Sequence, residues 1–299
     1  MATNAGILFL GIGNMGLAAV LALLKSGSAV TIWNRTITRP QVKTAVEAGA
    51  SLEEDLSKAI AKHSTIFICL LDYDKIYQSF ENINPSSMLT GKTVVNLTNG
   101  TPKQASEMQM WFRERQVERY FDAAIMVTPQ MVGGPHSFLV ASGEDLSSFA
   151  APAKLLSSIG KAQYMGPDVT AAARFDLAAL STMYGMFAGS FVGMALLKRS
   201  SSQNSIGDTV RNDIVPFLTA LVPYLGLIAD AWDEERWTDN MGSPVAMQLE
   251  GLKNLAAACE DEGVGTIFVP ELAALMKRVV KTHGGDAGVA GVGALLLRE

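Results

Sequence analysis

Residues 7–16 read Ile7-Leu8-Phe9-Leu10-Gly11-Ile12-Gly13-Asn14-Met15-Gly16, an apolar run that meets a Gly-x-Gly-x-x-Gly pattern. Alone, that glycine spacing is a weak signal. Its context carries the weight: the run before it reads as a strand, and the residues after it open a helix at the start of a βαβ unit. There the first glycine permits a tight turn, the second lets a pyrophosphate approach the backbone, and the third lets helix and strand pack closely. The helix N-terminus faces the phosphates with its unpaired N–H groups. Gly11, Gly13, Asn14, Met15 and Gly16 are thus expected to hold a dinucleotide.

The end of the second strand bears on which dinucleotide. An NAD enzyme usually places a carboxylate there to hold the ribose hydroxyls. Here the strand ends Trp33-Asn34-Arg35-Thr36. Arg35 can pair with a 2′-phosphate and stack on adenine, and Asn34 and Thr36 can donate hydrogen bonds to the same phosphate. The residues favour NADP(H). Leu70-Leu71-Asp72 and Asn96-Leu97-Thr98-Asn99-Gly100-Thr101-Pro102 follow two later strands, at the ends where ligands of such sheets gather. Leu70, Leu71, Asn96 and Thr98 join the cofactor-binding candidates. Thr101 reads as a helix cap with Pro102 in the first turn; capping does not account for the asparagines.

Further along, short β-branched or apolar runs alternate with amphipathic stretches. Strands are expected at 7–10, 29–33, 65–70, 93–97, 119–126, 137–141 and 161–164. Helices are expected at 14–26, 38–48, 53–62, 101–116 and 145–158. That alternation implies a parallel sheet covered on both faces, a Rossmann-type α/β domain. From about Thr170 strand signals vanish. Helices are expected at 170–199, 207–231, 244–261 and 268–281, the first about 45 Å long at ~1.5 Å per residue. The turn-rich Gly166-Pro167-Asp168 marks the boundary: a cofactor domain over 1–166, then a long interdomain helix and an all-α domain over 167–299. The glycine-rich stretch 284–288 is expected to be mobile or a loop.

Composition narrows the class. The chain has 299 residues, and a domain typically holds ~100–200, so two domains fit. Its 48% hydrophobic and 18% charged residues exclude a disordered chain. A net charge of −5 with 24 Lys+Arg argues against a nucleic-acid partner. Cys69 and Cys259, with isolated His63, His136 and His283, offer neither a disulfide framework nor metal-ligand spacing. No metal is expected, and the location is expected to be cytoplasmic. The uncharged run 5–24 lacks the basic start of a targeting signal. The uncharged run 177–197 contains Ser181, Thr182 and Ser190. It is read as a core helix buried on all sides rather than a membrane span. Gly185, Gly189 and Gly193 form a stripe along it where backbones can approach closely.

On that helix, at about 100° per residue, Met183, Tyr184 and Phe187 fall within about 80° of Asp176, and Gly185 and Gly189 fall opposite. One face therefore offers a carboxylate, a phenol and apolar side chains, the make-up of a pocket wall. Reducing a ketone develops negative charge on oxygen and calls for a proton donor such as Lys, His or Tyr. Reducing an imine starts from a protonated C=N, which a carboxylate stabilises. No lysine lies between Lys161 and Lys198.

At this point the sequence resembles the NADPH-dependent imine reductases, in particular their fungal reductive-aminase branch, over nearly the whole chain. The matching segments are GIGNMG at 11–16, WNRT at 33–36, CLL at 69–71, VNLTNGTPKQA at 95–105, AIMVTPQMVGGP at 124–135, DLAALSTMYGMFAG at 176–189 and MQLEG at 247–251. The resemblance implies a domain-swapped homodimer whose active sites are shared between subunits. It implies that Asp176 holds the iminium or the amine, that Tyr184 orients it, and that Asn99 stands near the nicotinamide. Met126, Leu180, Met183, Phe217, Met247 and Gln248 become substrate-pocket candidates. Phe217 falls where related enzymes can carry tryptophan, which bears on pocket size and amine preference. The implied substrates are a small imine, or a carbonyl compound plus an amine.

Two other readings stay open at this point. One is an NADP-dependent β-hydroxyacid or small-carbonyl dehydrogenase. Its relatives carry an Asp-x-Pro-Val-Ser-Gly-Gly-like stretch and a helix lysine, where this chain has Asp122-Ala123-Ala124-Ile125-Met126 and no lysine. The other is an NADPH-binding protein without turnover.

Overall fold

A computed structural model of the chain describes residues 6–81, 83, 88–199 and 205–297. The elements of the first part are β1 (Ile7–Leu10), α1 (Asn14–Lys25), β2 (Val30–Trp33), α2 (Pro40–Glu47), β3 (Ser51–Leu52), α3 (Leu56–Lys62), β4 (Thr65–Ile68), α4 (Tyr73–Phe80) and β5 (Thr93–Asn96). They continue with α5 (Pro102–Glu114), β6 (Arg119–Ile125), β7 (Phe138–Ser142), α6 (Leu146–Leu156) and β8 (Lys161–Tyr164). Then follow α7 (Thr170–Arg199), α8 (Ile206–Asp233), α9 (Val245–Asp261), α10 (Val269–His283) and α11 (Gly291–Ala294).

The strands form one sheet in the order β3-β2-β1-β4-β5-β6-β7-β8. β1, β4 and β5 are almost entirely buried and lie in the middle of the sheet, covered on both faces, as parallel strands require. One face packs Phe9, Val20, Leu23, Phe67, Phe121 and Phe149. The other packs Leu8, Ile66, Ile76, Met108, Phe112 and Tyr120. Every neighbouring pair is parallel except β6 and β7. The core of the sheet is parallel, as expected, and the one antiparallel step has a local reason. Between Ile125 and Phe138 the chain makes only a 3₁₀ turn at Pro129–Met131. Without a crossover helix the next strand returns antiparallel.

Local chemistry sets the helix starts. Asp55, Asp72, Thr101 and Asp145 cap α3, α4, α5 and α6 with their side chains. Thr101 and Gln104 complete a reciprocal capping box with Pro102 at the first position, as the sequence predicts.

The chain divides into two compact units, Met1–Ser181 and Thr182–Glu299. The division falls inside α7 because its first turns belong to the sheet: Ala172 and Phe175 pack on Ala124 and Val140. In the second unit a small core gathers Val245, Leu249, Met276, Val279, Ala287 and Val292. The glycine-rich stretch after α10 is a packed loop. Ala287 is buried, and a Cβ at Gly288 would lie 1.8 Å from the Asp239 carbonyl oxygen.

Burial of α7 differs from expectation. Only 6% of its 18-residue apolar window is buried in the chain, and α8 is as exposed and more apolar, with mean hydropathy 1.8. Both are long and apolar enough to cross a membrane by length and composition. Phe191, Phe217, Leu221, Val222 and Leu225 stand exposed. Among the described residues, and apart from the helix's own backbone, no atom comes within 4 Å of where a Cβ would sit on Gly185 or Gly193, and the Phe268 ring alone nears Gly189.

Phe112 is fully buried, stacked on Tyr120 and edge-on to Phe80. Phe112→Ala is expected to lower unfolding free energy in urea by about 3–5 kcal/mol. Leu146→Ala, at an exposed helix position, is expected to change it by less than about 0.5 kcal/mol.

Candidate active site

The site begins where the backbone turns from β1 into α1. Gly11 sits at φ +95°, and a Cβ on it would lie 2.2 Å from the Cys69 carbonyl oxygen. A Cβ on Gly16 would lie 2.0 Å from the Gly11 oxygen. These glycines let the turn press against the end of β4. Gly13 differs: no atom lies within 4 Å of its missing Cβ, and its backbone is extended. Its side opens onto a groove of about 320 Å³ lined by Gly11–Gly16, Trp33–Thr36, Arg39, Cys69–Leu71, Lys75 and Ser79. The N-terminus of α1 has no side-chain cap, so its N–H groups stay available there. An open glycine, an uncapped helix start and a cationic far wall fit the pyrophosphate and 2′-phosphate of NADP(H). A separate hollow of about 410 Å³ beside Ala22, Lys25 and Gly133 holds none of the candidate residues.

Most cofactor candidates line that groove, but three do other work. Asn34 is buried; its Oδ1 accepts from the Ile12 N–H at 2.9 Å, and its Nδ2 donates to the Thr36 carbonyl at 2.7 Å. It braces the glycine turn, where the sequence reading has it donating to a phosphate. Thr98 is also buried, and its hydroxyl accepts from the Leu70 N–H at 3.0 Å. Asn96 is fully buried. It donates to Asp122 at 3.1 Å and to Tyr120 at 3.2 Å, and accepts from the Thr98 N–H at 3.0 Å. Its side-chain amide is thus fully engaged by Asp122, Tyr120 and Thr98. Arg35, Thr36 and Leu71 are exposed. The sequence reading misses Arg39 and Lys75 on the groove wall. Arg39 stands four residues beyond Arg35 at the start of α2, and Lys75 lies on a helix that reading leaves out.

At the strand ends, the Asn99 side-chain amide donates to Asp176 Oδ2. Asn99 is exposed and Asp176 is buried, on the part of α7 that packs on the first unit. Burial raises the Asp176 carboxyl above its ordinary range, and the Asn99 hydrogen bond pulls it back down. Met126 and Leu180 are half-buried in the same unit. In the second unit Tyr184 is exposed, edge-on to Phe187 at 6.3 Å. Met183 is half-buried; Phe217 on α8 and Met247 on α9 are exposed. Gln248 donates to the Ser243 carbonyl and hydroxyl at 3.2 and 3.1 Å. Burial pushes the Cys69 thiol up to about 12, which leaves it a neutral SH rather than a nucleophile. Among the described residues no cluster of three or more His, Cys, Asp or Glu could hold a metal ion.

A doubly wound sheet, a glycine turn with a cationic second strand end, and a carboxamide–carboxylate pair at the strand ends define an NADP-dependent oxidoreductase. The family model for the NAD binding domain of 6-phosphogluconate dehydrogenase matches residues 6–166. The model for the NADPH-dependent reductive aminase-like C-terminal domain matches residues 168–297. An NADPH-dependent reductive aminase of Aspergillus oryzae is 34% identical over 96% of this chain and 95% of its own. A reductive aminase from Aspergillus terreus, solved with NADPH4, cyclohexanone and allyl amine, is 34% identical with a TM-score of 0.89, covering 99% of this chain and 100% of that one. An imine reductase from the same organism, solved with NADPH4 and dibenz[c,e]azepine, is 34% identical with a TM-score of 0.87 over 98% of this chain and 100% of that one. The chain belongs to the NADPH-dependent reductive aminase family, oxidoreductases that act on C=N bonds.

The glycine geometry separates two roles. Gly13→Ala is expected to keep the wild-type melting temperature and to weaken NADPH binding at least about tenfold in Kd, by fluorescence titration. Gly16→Ala meets backbone at 2.0 Å and is expected to lower the melting temperature as well.

Proposed function

We propose that this protein reduces an imine or iminium carbon to an amine, either on a preformed imine or on one made in the site from a carbonyl compound and an amine. The observation that carries the reading is the Asn99–Asp176 pair, with Asp176 on a helix and no lysine between Lys161 and Lys198. NADPH, when bound, supplies the hydride. The groups of this chain handle the charge. Asp176, ionised, holds the cationic iminium or the attacking amine. Asn99 fixes the orientation of that carboxylate, and Tyr184 orients the substrate. The iminium nitrogen already bears its proton, so hydride addition gives the amine with no further proton donor. A hydroxyacid dehydrogenase would need a proton acceptor such as lysine, and this helix stretch provides none.

In this reading Gly11–Gly16, Arg35, Thr36, Leu70 and Leu71 hold NADP(H), with Arg39 and Lys75 added from the groove wall and Asn34, Thr98 and Asn96 as supports. Residues 1–166 are the cofactor domain and 167–299 the substrate and dimerisation domain, in a cytoplasmic enzyme. The exposed apolar faces of α7 and α8 are covered by a second copy of the chain. Each active site is then shared, with Met126 and Leu180 joined by Met183, Phe217, Met247 and Gln248 around the substrate. Exposed apolar surface of this extent marks an interaction site, and an isologous pair covers the same face on both copies.

Light scattering in detergent-free buffer is expected to give twice the chain mass; a monodisperse monomer would overturn the shared site. NADPH consumption is expected with a small cyclic imine and with a ketone plus a primary amine, and not with the ketone alone. Turnover of the ketone alone would favour the carbonyl-reductase reading. Asp176→Ala is expected to lower kcat on the imine by at least about a hundredfold while NADPH Kd stays within about twofold. Because Asp176 acts as the anion and burial raises it, the wild-type rate is expected to fall as pH drops through that raised value. Undiminished turnover by the Ala variant would remove Asp176 from the site.

A further inference from the structure

Beneath the loop that carries Asn99 lies a buried carboxylate that the reaction itself does not use. Asp122 on β6 is almost fully buried. Its Oδ1 accepts three hydrogen bonds: from the Tyr73 hydroxyl at 2.6 Å, the Asn96 amide at 3.1 Å and the Tyr120 hydroxyl at 3.2 Å. Tyr73, Tyr120 and Asn96 are themselves buried. The network continues upward. Asn96 Oδ1 accepts from the Thr98 N–H, and the Thr98 hydroxyl accepts from the Leu70 N–H at the other groove loop. Asn99, the next residue, donates to Asp176. The Tyr73 ring lies flush under Gly100, where a Cβ would come within 2.2 Å of it. The register partner of Asp122 on β7 is Ser142. Its hydroxyl donates to the Val169 carbonyl and accepts from the Ala172 N–H, at the start of the helix that bears Asp176. Both ends of the Asn99–Asp176 pair are thus fixed from adjacent points on the sheet.

We propose that Asp122 is a positioning residue for the reduction: held by Tyr73, Tyr120 and Asn96, it fixes the Asn96–Gly100 loop and, through it, the geometry and charge of the Asn99–Asp176 pair. The proposal rests on that pair being the reactive one. The ionisable groups facing Asp122 are Tyr73 from α4, Tyr120 from β6 and Asp176 from α7; its neighbours on β5 and β7 are the uncharged Asn96 and Ser142. No cation is among them. Burial pushes its carboxyl up to about 7 against the pull of Tyr73, Asn96 and Tyr120, and the Asp176 charge adds to the rise. Asp122, once ionised, places a negative charge under the site, which favours a cationic substrate.

The test compares wild type with Asp122→Asn and Tyr73→Phe. Steady-state rates with NADPH and a preformed cyclic imine are followed across about pH 5 to 9, and the Asn99 side-chain amide resonance is followed by NMR. Wild type is expected to show a rise in kcat and a shift of the Asn99 resonance centred near 7. Asp122→Asn is expected to lose both steps and to lower kcat about ten- to a hundredfold, with NADPH KM within about twofold. Tyr73→Phe keeps the ring under Gly100 but removes a donor that lowers the Asp122 carboxyl, so both steps are expected to move to higher pH. It decides the question if Asp122→Asn does not fold. An unchanged kcat profile and an unchanged Asn99 resonance, with only the melting temperature lowered, would overturn the proposal. If Asp176→Ala were fully active, the functional reading would fall, and the Asn99 resonance would still report whether Asp122 governs that loop.

Discussion

The close approach of backbone to backbone at the end of β1 is the constraint on which the rest depends. Gly11 and Gly16 leave no room for even a methyl group, because the turn lies on the end of β4 and α1 lies on the turn. Gly11 is at φ +95°, where a side chain is strained whatever the space. This proximity gathers the first turn, the Leu70–Leu71 loop and the Asn96–Gly100 loop at one edge of the sheet. Asn34 makes it rigid by satisfying the Ile12 N–H, which burial would otherwise leave unpaired at a cost of about 1–3 kcal/mol. On the proposed reading, backbone makes the anion site and side chains select the dinucleotide.

A second pattern is the distribution of charge. Arg35, Arg39 and Lys75 are among the residues that line the groove. Around Asp122 and Asp176 the partners are neutral donors: Asn99 for one, and Tyr73, Tyr120 and Asn96 for the other. Buried carboxylates usually find a cation or lose their charge. Neutral partners satisfy the lone pairs yet leave the negative charge unneutralised, ready for a cation arriving as substrate. A lysine beside Asp176 would cancel that potential and supply a proton donor in its place. In the reading proposed above, this polarity favours iminium over hydroxyl chemistry.

Much of the first unit is legible because its sequence agrees with its structure at several levels. Ile7–Leu10 and Thr65–Ile68 are short apolar runs ended by turns, and Thr101-Pro102 is a helix start in plain view. The misses have causes. β3 is two residues long, too short for any periodicity. α4 does carry a helical pattern, Tyr73, Ile76 and Phe80 on one side behind the Asp72 cap, but its eight residues with polar neighbours give too short a signal to be among the expected helices, and Lys75 lies on it. Asn96 and Thr98 face inward because they sit at buried strand-end positions, and residue type does not distinguish an asparagine that meets a ligand from one that satisfies a buried carboxylate. The Asn99–Asp176 contact joins residues 77 positions apart; only the resemblance to a family placed them in one site.

The exposed helices follow from the same logic. An all-round apolar helix is written identically whether its environment is a domain core, a lipid or a second protein surface. The first unit resolves that ambiguity within its own chain by closing two faces of a sheet. The second unit cannot: its own core is a handful of side chains around Val245 and Met276, while the aromatic and branched residues of α7 and α8 point outward. Burying them releases about 25 cal/mol per Å² of apolar surface, a driving force the single chain leaves unused. In the dimer proposed above, a second copy offers the same face in return, and the open glycines of α7 leave room for its backbone. On that proposal, folding of the second unit and assembly of the shared site are coupled.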